Sequence, residues 1–306
     1  MHGLAIRFAT KARRCRLVAV VAWVALSIGA CVAGPAGAAD VVKPPRPPDF
    51  ARFAFHYELL DEAMQRTVAP FGPYVEQPYT EALTTNRIIR EAIKGDLINV
   101  LAIDFGNEAL TEGMTPVPFP IDKGLLGYRV CLIAKGNQAR IGKPDTLEKL
   151  RVLSVGRGAG WGDIRIFEHN RIPIETSPDY LNLFAMLARG RFDLFPRGIT
   201  EIVAELASLR DRYPDLAIEE HVVIKYAYAQ FFYVSKTAPR IADRVRHGLE
   251  TMHRDGSFDR LFDRHFAEAL ATLRLDKRSV VQLENPFVPD WVPLERKDLW
   301  LDPTKK

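Results

Sequence analysis

The residue types best suited to chemistry begin with a glycine-rich segment, Gly156 to Asp163, which reads GRGAGWGD and follows a strand predicted for Arg151 to Val155. Glycines let a ligand approach the backbone closely, and free N–H groups at a helix start attract anions. The candidate contacts for a carboxylate or phosphate are Arg157, Gly158, Trp161 and Asp163. The glycine spacing does not match G-x-G-x-x-G, and no Gly-Lys-Ser/Thr follows, so the motif is not a nucleotide loop. The alternative is a glycine-rich turn in which Trp161 only packs.

Arg197 is the second chemical candidate, because of the elements that precede it. Ser177 suits an N-cap, apolar residues recur at helical spacing up to Arg189, and Gly190 suits the stop. A short buried strand, Phe192 to Phe195, then leads to an exposed turn that carries Arg197. Ligands of open α/β sheets lie at the carboxyl ends of strands, so the turn is predicted to face a cleft. A solvated arginine at a turn is the alternative.

Other arginines and aromatic residues lie near the ends of predicted strands. Arg87 and Arg129 are further candidate anion contacts, and Tyr57, Tyr128 and Tyr180 are candidate stacking or hydrogen-bonding walls. Each of these side chains could equally serve packing or the solvated surface. Their shared position, at strand ends that face one predicted cleft, is what makes the set a candidate site.

Catalytic and metal-binding patterns are absent from the sequence. It holds no G-x-S-x-G elbow, no H-E-x-x-H and no paired cysteines, and its seven histidines are scattered. We therefore predict neither a metal nor a cofactor. His56 is the one histidine near the predicted cleft, and an enzyme on this chain would need a general acid. The candidates for that role are Asp104, Glu112, Asp163 and His56.

The elements that would position these residues alternate between strand and helix. Strands are predicted for Arg52 to Tyr57, Tyr74 to Pro78 and Ile98 to Ile103, with amphipathic helices at Leu59 to Val68 and from Thr84 or Thr85 to Gly95. Such alternation predicts an α/β protein with mostly parallel sheets.

The amino terminus has the pattern of a secretory leader. Residues 1–39 carry five basic residues and no acid before an apolar run, and small residues follow as a cleavage site. Processing at Cys31 would instead leave a lipid anchor. Without the leader 37 basic and 38 acidic residues remain, so we predict no nucleic-acid partner. Cys131 is then the one cysteine left, and we predict it to be a buried structural thiol.

Gly190, Arg191 and Asp193 form a Gly-Arg-x-Asp ending to the predicted helix, and this pattern resembles the bacterial extracellular solute-binding proteins of family 3. The resemblance covers roughly residues 50 to 270. It implies the two-lobed type II periplasmic-binding fold, with mostly parallel sheets flanked by helices and two hinge crossovers, here Leu125 to Lys135 and Tyr226 to Lys236. The implied organisation is a Pro-rich spacer at 40–49, lobe I at 50–130 and 232–284, lobe II at 131–231 and an extended tail at 285–306, whose two tryptophans we expect to be half buried.

The resemblance also implies a function, with two departures from the family pattern. The acid that holds an amino-acid ammonium would fall at position 198, which is glycine, and the arginine that clamps a carboxylate is missing near Gly113. A periplasmic receptor for a small anionic or neutral polar ligand is therefore expected, monomeric and serving an inner-membrane transporter or a sensor protein. A dehydratase-like enzyme acting on a small cyclic acid is the alternative.

Overall fold

The computed structural model describes residues 39–47 and 53–305. The predicted leader, apart from Ala39, and Cys31 lie outside these residues. In the described part of the chain the strands are β1 (Asp40–Val42), β2 (Tyr74–Glu76), β3 (Val100–Asp104), β4 (Met114–Pro116), β5 (Tyr128–Ala134), β6 (Val155–Gly158), β7 (Ile174–Ser177), β8 (Phe195–Gly198), β9 (Leu216–Ile218), β10 (Val222–Lys225), β11 (Gln230–Ser235) and β12 (Ser279–Gln282). The helices are α1 (Ala54–Gln65), α2 (Val68–Phe71), α3 (Thr85–Lys94), α4 (Glu108–Gly113), α5 (Gln138–Ile141), α6 (Leu147–Arg151), α7 (Ile164–His169), α8 (Tyr180–Ala188), α9 (Ile202–Ser208), α10 (Pro239–Arg254) and α11 (Ser257–Leu273).

The first lobe is built on the strand order β2-β1-β3-β11-β4. β1 pairs in parallel with β2. Asn99 joins β1 to β3 through two hydrogen bonds to Lys43. The Asn99 backbone N–H donates to Lys43 O at 3.0 Å, and the Asn99 side-chain oxygen accepts from Lys43 N at 2.7 Å. β11 pairs antiparallel with β3 on one side and with β4 on the other. β11 is therefore the one strand that runs opposite to the others among the described strands of this sheet.

The second lobe repeats this arrangement around β5. β6 pairs in parallel with β7 and meets β8 through a parallel bridge between Val155 and Leu194. β5 pairs antiparallel with β8, β9 and β10, and β12 adds in parallel to β10. Each lobe is thus a mostly parallel sheet with one antiparallel strand among its described strands, which confirms the predicted fold class.

The two antiparallel strands are the segments predicted as crossovers between the lobes. The chain reaches β5 through a 3₁₀ turn at Leu125–Gly127, and returns through β11. The crossovers run side by side, since Tyr226 N donates to Gly127 O at 3.0 Å. A Cβ on Gly127 would lie 2.1 Å from Tyr226 O, so only glycine lets the two segments approach so closely.

The helices follow local sequence signals, with small shifts of their ends. Asp179, rather than Ser177, caps α8, with its carboxylate accepting from Leu181 N at 2.8 Å and Asn182 N at 3.2 Å. Ser177 instead ends β7. The predicted stop is confirmed, because Gly190 has φ +67° directly after the last turn.

Two predictions at the start of the fold are wrong. The segment predicted as a strand at Arg52 to Tyr57 enters helix α1, whose buried stripe includes Phe55, Leu59 and Met64. A helical period of buried residues outweighs the strand propensity of this aromatic run. The Pro-rich segment predicted as a spacer outside the core contributes strand β1, and Val42 is 1% exposed.

The tail carries the expected half-buried tryptophans, Trp291 and Trp300. Cys131 is buried in β5, as predicted, and burial raises the pKa of its thiol. In the described part of the chain, no helix has the length and apolar character needed to span a membrane.

Candidate functional site

A cleft lies between the lobes beside the crossovers, with an empty volume of about 840 Å³ that includes space open to solvent. Its lining residues come from β3, α3, β5, the β6–α7 loop, β8 and the second crossover. They are Phe53, Thr85, Ile88, Leu101, Ala102, Ile103, Asp104, Leu126, Arg129, Arg157, Trp161, Gly162, Asp163, Arg197, Glu201, Tyr228 and Gln230.

Asp163 is the centre of a buried polar cluster on the lobe II side of this cleft. Its Oδ2 atom accepts hydrogen bonds from Arg129 Nη2 at 2.9 Å and from the Tyr226 hydroxyl at 2.7 Å, and it also contacts Arg157 Nη2. Tyr226 in turn accepts from Arg129 Nε at 2.8 Å. Asp163 is the N-cap residue of α7, yet its side chain makes no capping bond.

The arginines determine the charge state of Asp163. Burial alone would raise the pKa of this carboxyl, but Arg157 and Arg129 lower the pKa to about 2. Arg157 also donates from Nη1 to Pro196 O at 2.8 Å. Two buried atoms of the cluster, Arg157 Nε and Asp163 Oδ1, have no hydrogen-bond partner among the described residues.

Arg197 forms a second buried ion cluster. The structure places it inside β8, opposite Val130 of β5, rather than in the predicted exposed turn, and it is 3% exposed. Its guanidinium donates to both carboxylate oxygens of Glu205, from Nε at 2.7 Å and from Nη2 at 2.5 Å. Glu201 Oε2 lies 3.1 Å from the same Nη2. An internal carboxylate therefore already occupies the bidentate face that would bind an anion.

Trp161 joins the two clusters. The guanidinium carbons of Arg157 and Arg197 lie 4.8 Å and 4.9 Å from its ring centroid, and Phe195 stacks with it at 6.3 Å. These cation–π contacts fix the half-buried indole in the wall of the cleft. Gly158 makes room for it, since a Cβ at position 158 would lie 2.3 Å from the indole ring.

The lobe I wall is mainly apolar, with one acid at the end of β3. Asp104 Oδ1 accepts hydrogen bonds from the Tyr228 hydroxyl at 2.5 Å and from Gly106 N at 2.9 Å. No ion pair of Asp104 with a described Lys or Arg occurs. Burial raises the pKa of Asp104, although the Tyr228 and Gly106 hydrogen bonds oppose the shift.

The two walls touch at a pair of glycines. A Cβ on Gly106, which follows β3, would lie 2.3 Å from the Cα atom of Gly162 in the β6–α7 loop. Nearby, Arg165 Nη1 on α7 donates to Glu108 Oε1 on α4 at 2.8 Å. The structure therefore describes the lobes in contact across the mouth of the cleft.

An apolar chamber with an empty volume of about 570 Å³ adjoins the cleft on the lobe I side. It shares Phe53, Ile88, Leu101 and Ala102 with the cleft lining, and Tyr57 and His56 also line it. The His56 ring contacts Gln230 Oε1 through Nε2 at 2.7 Å. Tyr57 and His56 thus lie behind the cleft, on α1.

The predicted ligand contacts are partly brought together by the fold. Arg157, Trp161, Asp163 and Arg197 line the cleft, Gly158 supports Trp161 from behind, and Tyr57 lines the chamber. Arg87 is exposed on α3, outside the cleft lining. Tyr128 faces a different cavity, behind the crossovers, where Lys225 Nζ lies 4.9 Å from its ring centroid. Alternation along β5 sends Tyr128 away from the cleft and its neighbour Arg129 into it.

The glycine-rich loop offers fewer backbone donors than its sequence indicates. Gly156 N donates to Leu194 O at 2.9 Å, Ala159 N to Ser177 O at 2.8 Å, and Trp161 N to Gly158 O at 3.0 Å. Pairing of β6 with its neighbours thus satisfies donors that we expected to face an anion.

Sequence reasoning missed several residues of the site, namely Glu201, Glu205, Tyr226, Tyr228 and Gln230. The pairing of Arg197 with Glu201 and Glu205 joins strand β8 to the start of α9, so no helical spacing in the sequence indicates it. Nothing local marks the crossover tyrosines. Among the described residues, no group of three His, Cys, Asp or Glu side chains could hold a metal ion.

Comparisons with known proteins agree on the fold. No protein-family model matches the chain, and no curated protein sequence matches it. The substrate-binding protein of an amino acid ABC transporter is 14% identical, with a TM-score of 0.52, over 74% of this chain and 99% of that one. The VFT2 domain of Bordetella pertussis BvgS, a double mutant, is 14% identical, with a TM-score of 0.56, over 74% and 93%. The ancestral amino acid-binding protein AncCDT-1, a precursor of cyclohexadienyl dehydratase, is 14% identical, with a TM-score of 0.52, over 74% and 95%.

At such low identities the likeness concerns the fold alone. The chain has the two-lobed fold of the type II periplasmic binding proteins, and its neighbours in fold include amino-acid-binding proteins and a histidine kinase sensor domain. Most of these neighbours are binding proteins rather than enzymes.

Proposed function

We propose that this protein is an extracytoplasmic solute-binding receptor, a divergent relative of the family 3 solute-binding proteins. The observation that supports this proposal most is the cleft of about 840 Å³ between two lobes that meet at Gly106 and Gly162. Ligand pockets of proteins often lie at domain interfaces. A small solute would bind in this cleft and be enclosed as the lobes close around the crossovers.

The proposed ligand is a small polar molecule, neutral or anionic. The glycine at position 198 and the lack of an arginine near Gly113 argue against a free amino acid. Within the cleft, Arg129 and Arg157 are balanced by Asp163, and Arg197 is balanced by Glu205 and Glu201. Because internal carboxylates already neutralise these arginines, a neutral ligand fits the site better than an anion.

The predicted leader and the fold neighbours support export to the periplasm and a partnership with a transporter or a sensor protein. Neighbours of both kinds are found, the substrate-binding protein of an ABC transporter and a histidine kinase sensor domain. We propose that the receptor acts as a monomer.

The proposal is tested by mass spectrometry of small molecules that co-purify with the protein, followed by titration of each identified compound. A true ligand should raise the melting temperature in proportion to ln(1 + [L]/Kd) and reduce the radius of gyration in solution scattering. Binding of a free amino acid in preference to neutral solutes would overturn the ligand assignment. Absence of any ligand that compacts the protein would overturn the receptor itself.

One observation favours a second candidate, a dehydratase-like enzyme. Asp104 is an acid at the cleft whose pKa burial raises, and a raised pKa favours the protonated form that a general acid needs. The other acids we considered are less suited: arginines hold Asp163 ionised, and Glu112 is exposed. Turnover of a small cyclic acid that is lost in Asp104→Asn would support the enzyme. Stoichiometric binding without product would support the receptor.

A further inference from the structure

The tail of the chain forms a segment that touches both lobes and both crossovers, and we call residues 283–302 the strap. Its first contacts are with lobe II, where it continues from β12. Leu283 N donates to Lys225 O at 2.7 Å. Glu284 exchanges two hydrogen bonds with the Asn170 side chain at the end of α7, at 2.8 Å and 3.1 Å. Asn285 Nδ2 donates to Ala227 O, in the second crossover, at 2.7 Å. The strap therefore starts fixed to lobe II.

The middle of the strap is anchored in lobe I. The Trp291 ring packs edge-on against Phe231 and Tyr233 of β11, with centroids at 4.9 Å and 5.9 Å, and against Phe105 at 6.5 Å. Further along, Arg296 Nη1 pairs with Glu250 on α10 at 2.9 Å. Leu299 is 1% exposed, so the end of this section belongs to the core.

The last part of the strap returns to the crossovers. Leu301 N donates to Lys123 O at 3.0 Å, just before the first crossover. The Trp300 ring lies against Gly124, where a Cβ would come within 2.2 Å of it. Asp302 pairs with Lys225, at the start of the second crossover, at 3.1 Å.

We propose that the strap is a third connection between the lobes, which limits how far they open in the absence of ligand. Five residues lie between the Asn285 anchor and the Trp291 anchor, and the six residue steps of a fully extended chain span at most about 20–22 Å. Opening around the two crossovers must therefore extend this link or release one of its anchors. Asn285 is hydrogen-bonded to Ala227 in the second crossover, and Asp302 is paired with Lys225 directly before it. Bending of the second crossover would therefore also break these two contacts.

The test measures lobe separation with spin labels in the absence of ligand. Labels are attached at Asn86→Cys in lobe I and Glu148→Cys in lobe II, both exposed positions, while Cys131 is buried and should stay unlabelled. The released-strap variant carries Asn285→Ala and Asp302→Ala, which remove the anchors on the second crossover and leave Trp291 in place. Glu295→Ala, at an exposed strap residue, is the matched control.

We expect one narrow distance distribution in the parent and in the Glu295→Ala control. In the released-strap variant the distribution should broaden and shift to longer distances, with faster amide hydrogen exchange in the strap and in both crossovers. Faster exchange in the strap with an unchanged distance distribution would overturn the proposal, because the strap would then be loose without consequence for the lobes. If the double variant does not fold, Asn285→Ala alone decides between the same two outcomes. This test needs no ligand, so its result is independent of the receptor proposal.

Discussion

The two walls of the cleft use charge in opposite ways. The lobe II wall places three arginines and three carboxylates in buried clusters, with Arg129, Arg157 and Arg197 opposite Asp163, Glu201 and Glu205. The lobe I wall is mainly apolar, and in the described part of the chain Asp104 is the one charged side chain that it contributes to the cleft lining, held by a tyrosine and a backbone N–H. One wall satisfies its charges internally, and the other carries a single acid with no ion-pair partner among the described residues.

This difference shows that an arginine in a cleft is not by itself an anion site. Guanidinium groups that already make bidentate or shared contacts to carboxylates have little left to offer a ligand. The lobe II clusters instead join β5, β6, β8 and the helices that follow them, so their first effect is on stability. Selectivity then depends on shape, on hydrogen bonding and on the lobe I wall.

The largest effect is expected for Asp163→Asn, at the centre of the charged cluster on the lobe II wall. The change keeps the size of the side chain but leaves Arg129 and Arg157 buried without a counter-charge, so unfolding free energy should fall by about 3–5 kcal/mol. Urea unfolding measures this loss. Asp243→Asn is the control, because its pair with Arg246 at 2.8 Å is fully on the surface and should change stability by less than about 1 kcal/mol. Equal effects of the two substitutions would show that the buried cluster adds nothing.

Replacing Arg197 tests whether the second cluster serves ligand or fold. Sequence reasoning expects Arg197→Ala to weaken binding with little loss of stability, whereas the buried pair with Glu205 predicts a loss of about 3 kcal/mol in unfolding free energy. Adding Glu205→Leu should recover part of that loss, because the buried Glu205 carboxylate is then no longer left without its arginine. If the Arg197→Ala protein is stable but binds an anionic ligand more weakly, the assignment of Arg197 as an anion contact would be supported after all.

The acid on the lobe II wall also predicts a pH dependence. The pKa of Asp163 is lowered to about 2 in the fold from an ordinary value of 3.8. Because the pKa is lowered in the fold, the ionised Asp163 carboxylate contributes roughly 2 kcal/mol to the unfolding free energy. This contribution is complete above about pH 4 and is lost as the pH falls toward 2. Unfolding free energies of the parent and of Asp163→Asn, measured from pH 5 to pH 2, should converge as the pH falls. A constant difference would contradict the assigned charge state.

Contact between the walls is tested by Gly106→Ala. The added Cβ would collide with the Cα atom of Gly162, so the closed arrangement should become less favourable by about 1–2 kcal/mol, the scale of overpacking. Solution scattering should show a larger radius of gyration. Gly136→Ala is the control, because its positive φ of +88° gives backbone strain but a Cβ there meets nothing within 4 Å. Similar radii of gyration for the two variants would show that the walls do not depend on the contact between Gly106 and Gly162.

The smallest effect is expected for Asp104→Asn on the lobe I wall. Burial raises the pKa of this carboxyl, so its charge costs stability as pH rises through that pKa. Asparagine can still accept from Tyr228 and Gly106, so the change in unfolding free energy at pH 7 should stay within about 1 kcal/mol, of either sign. A loss as large as that of Asp163→Asn would mean that the two walls do not differ in kind.

Much of the fold could be predicted because it depends on local patterns. The stop at Gly190, the buried Cys131 and the half-buried tail tryptophans follow from residue type and spacing, whereas the segments that carry β5 and β11 are those that the family resemblance implies as crossovers. The start of the fold could not be predicted in this way. Short segments such as Asp40–Val42 become strands only because a neighbouring strand pairs with them.

The sequence by itself determined which residues could do chemistry near the cleft, namely Arg157, Trp161, Asp163 and Arg197, because each follows a strand or ends one in an alternating α/β pattern. Only the tertiary structure decided what these residues do. Two partners of Asp163, Arg129 and Tyr226, lie 34 and 63 residues away from it along the chain. The alternation of side chains along β5 places Arg129, rather than its neighbour Tyr128, in the cleft. Ion pairing depends on distances of a few ångströms between side chains, and long-range packing sets those distances.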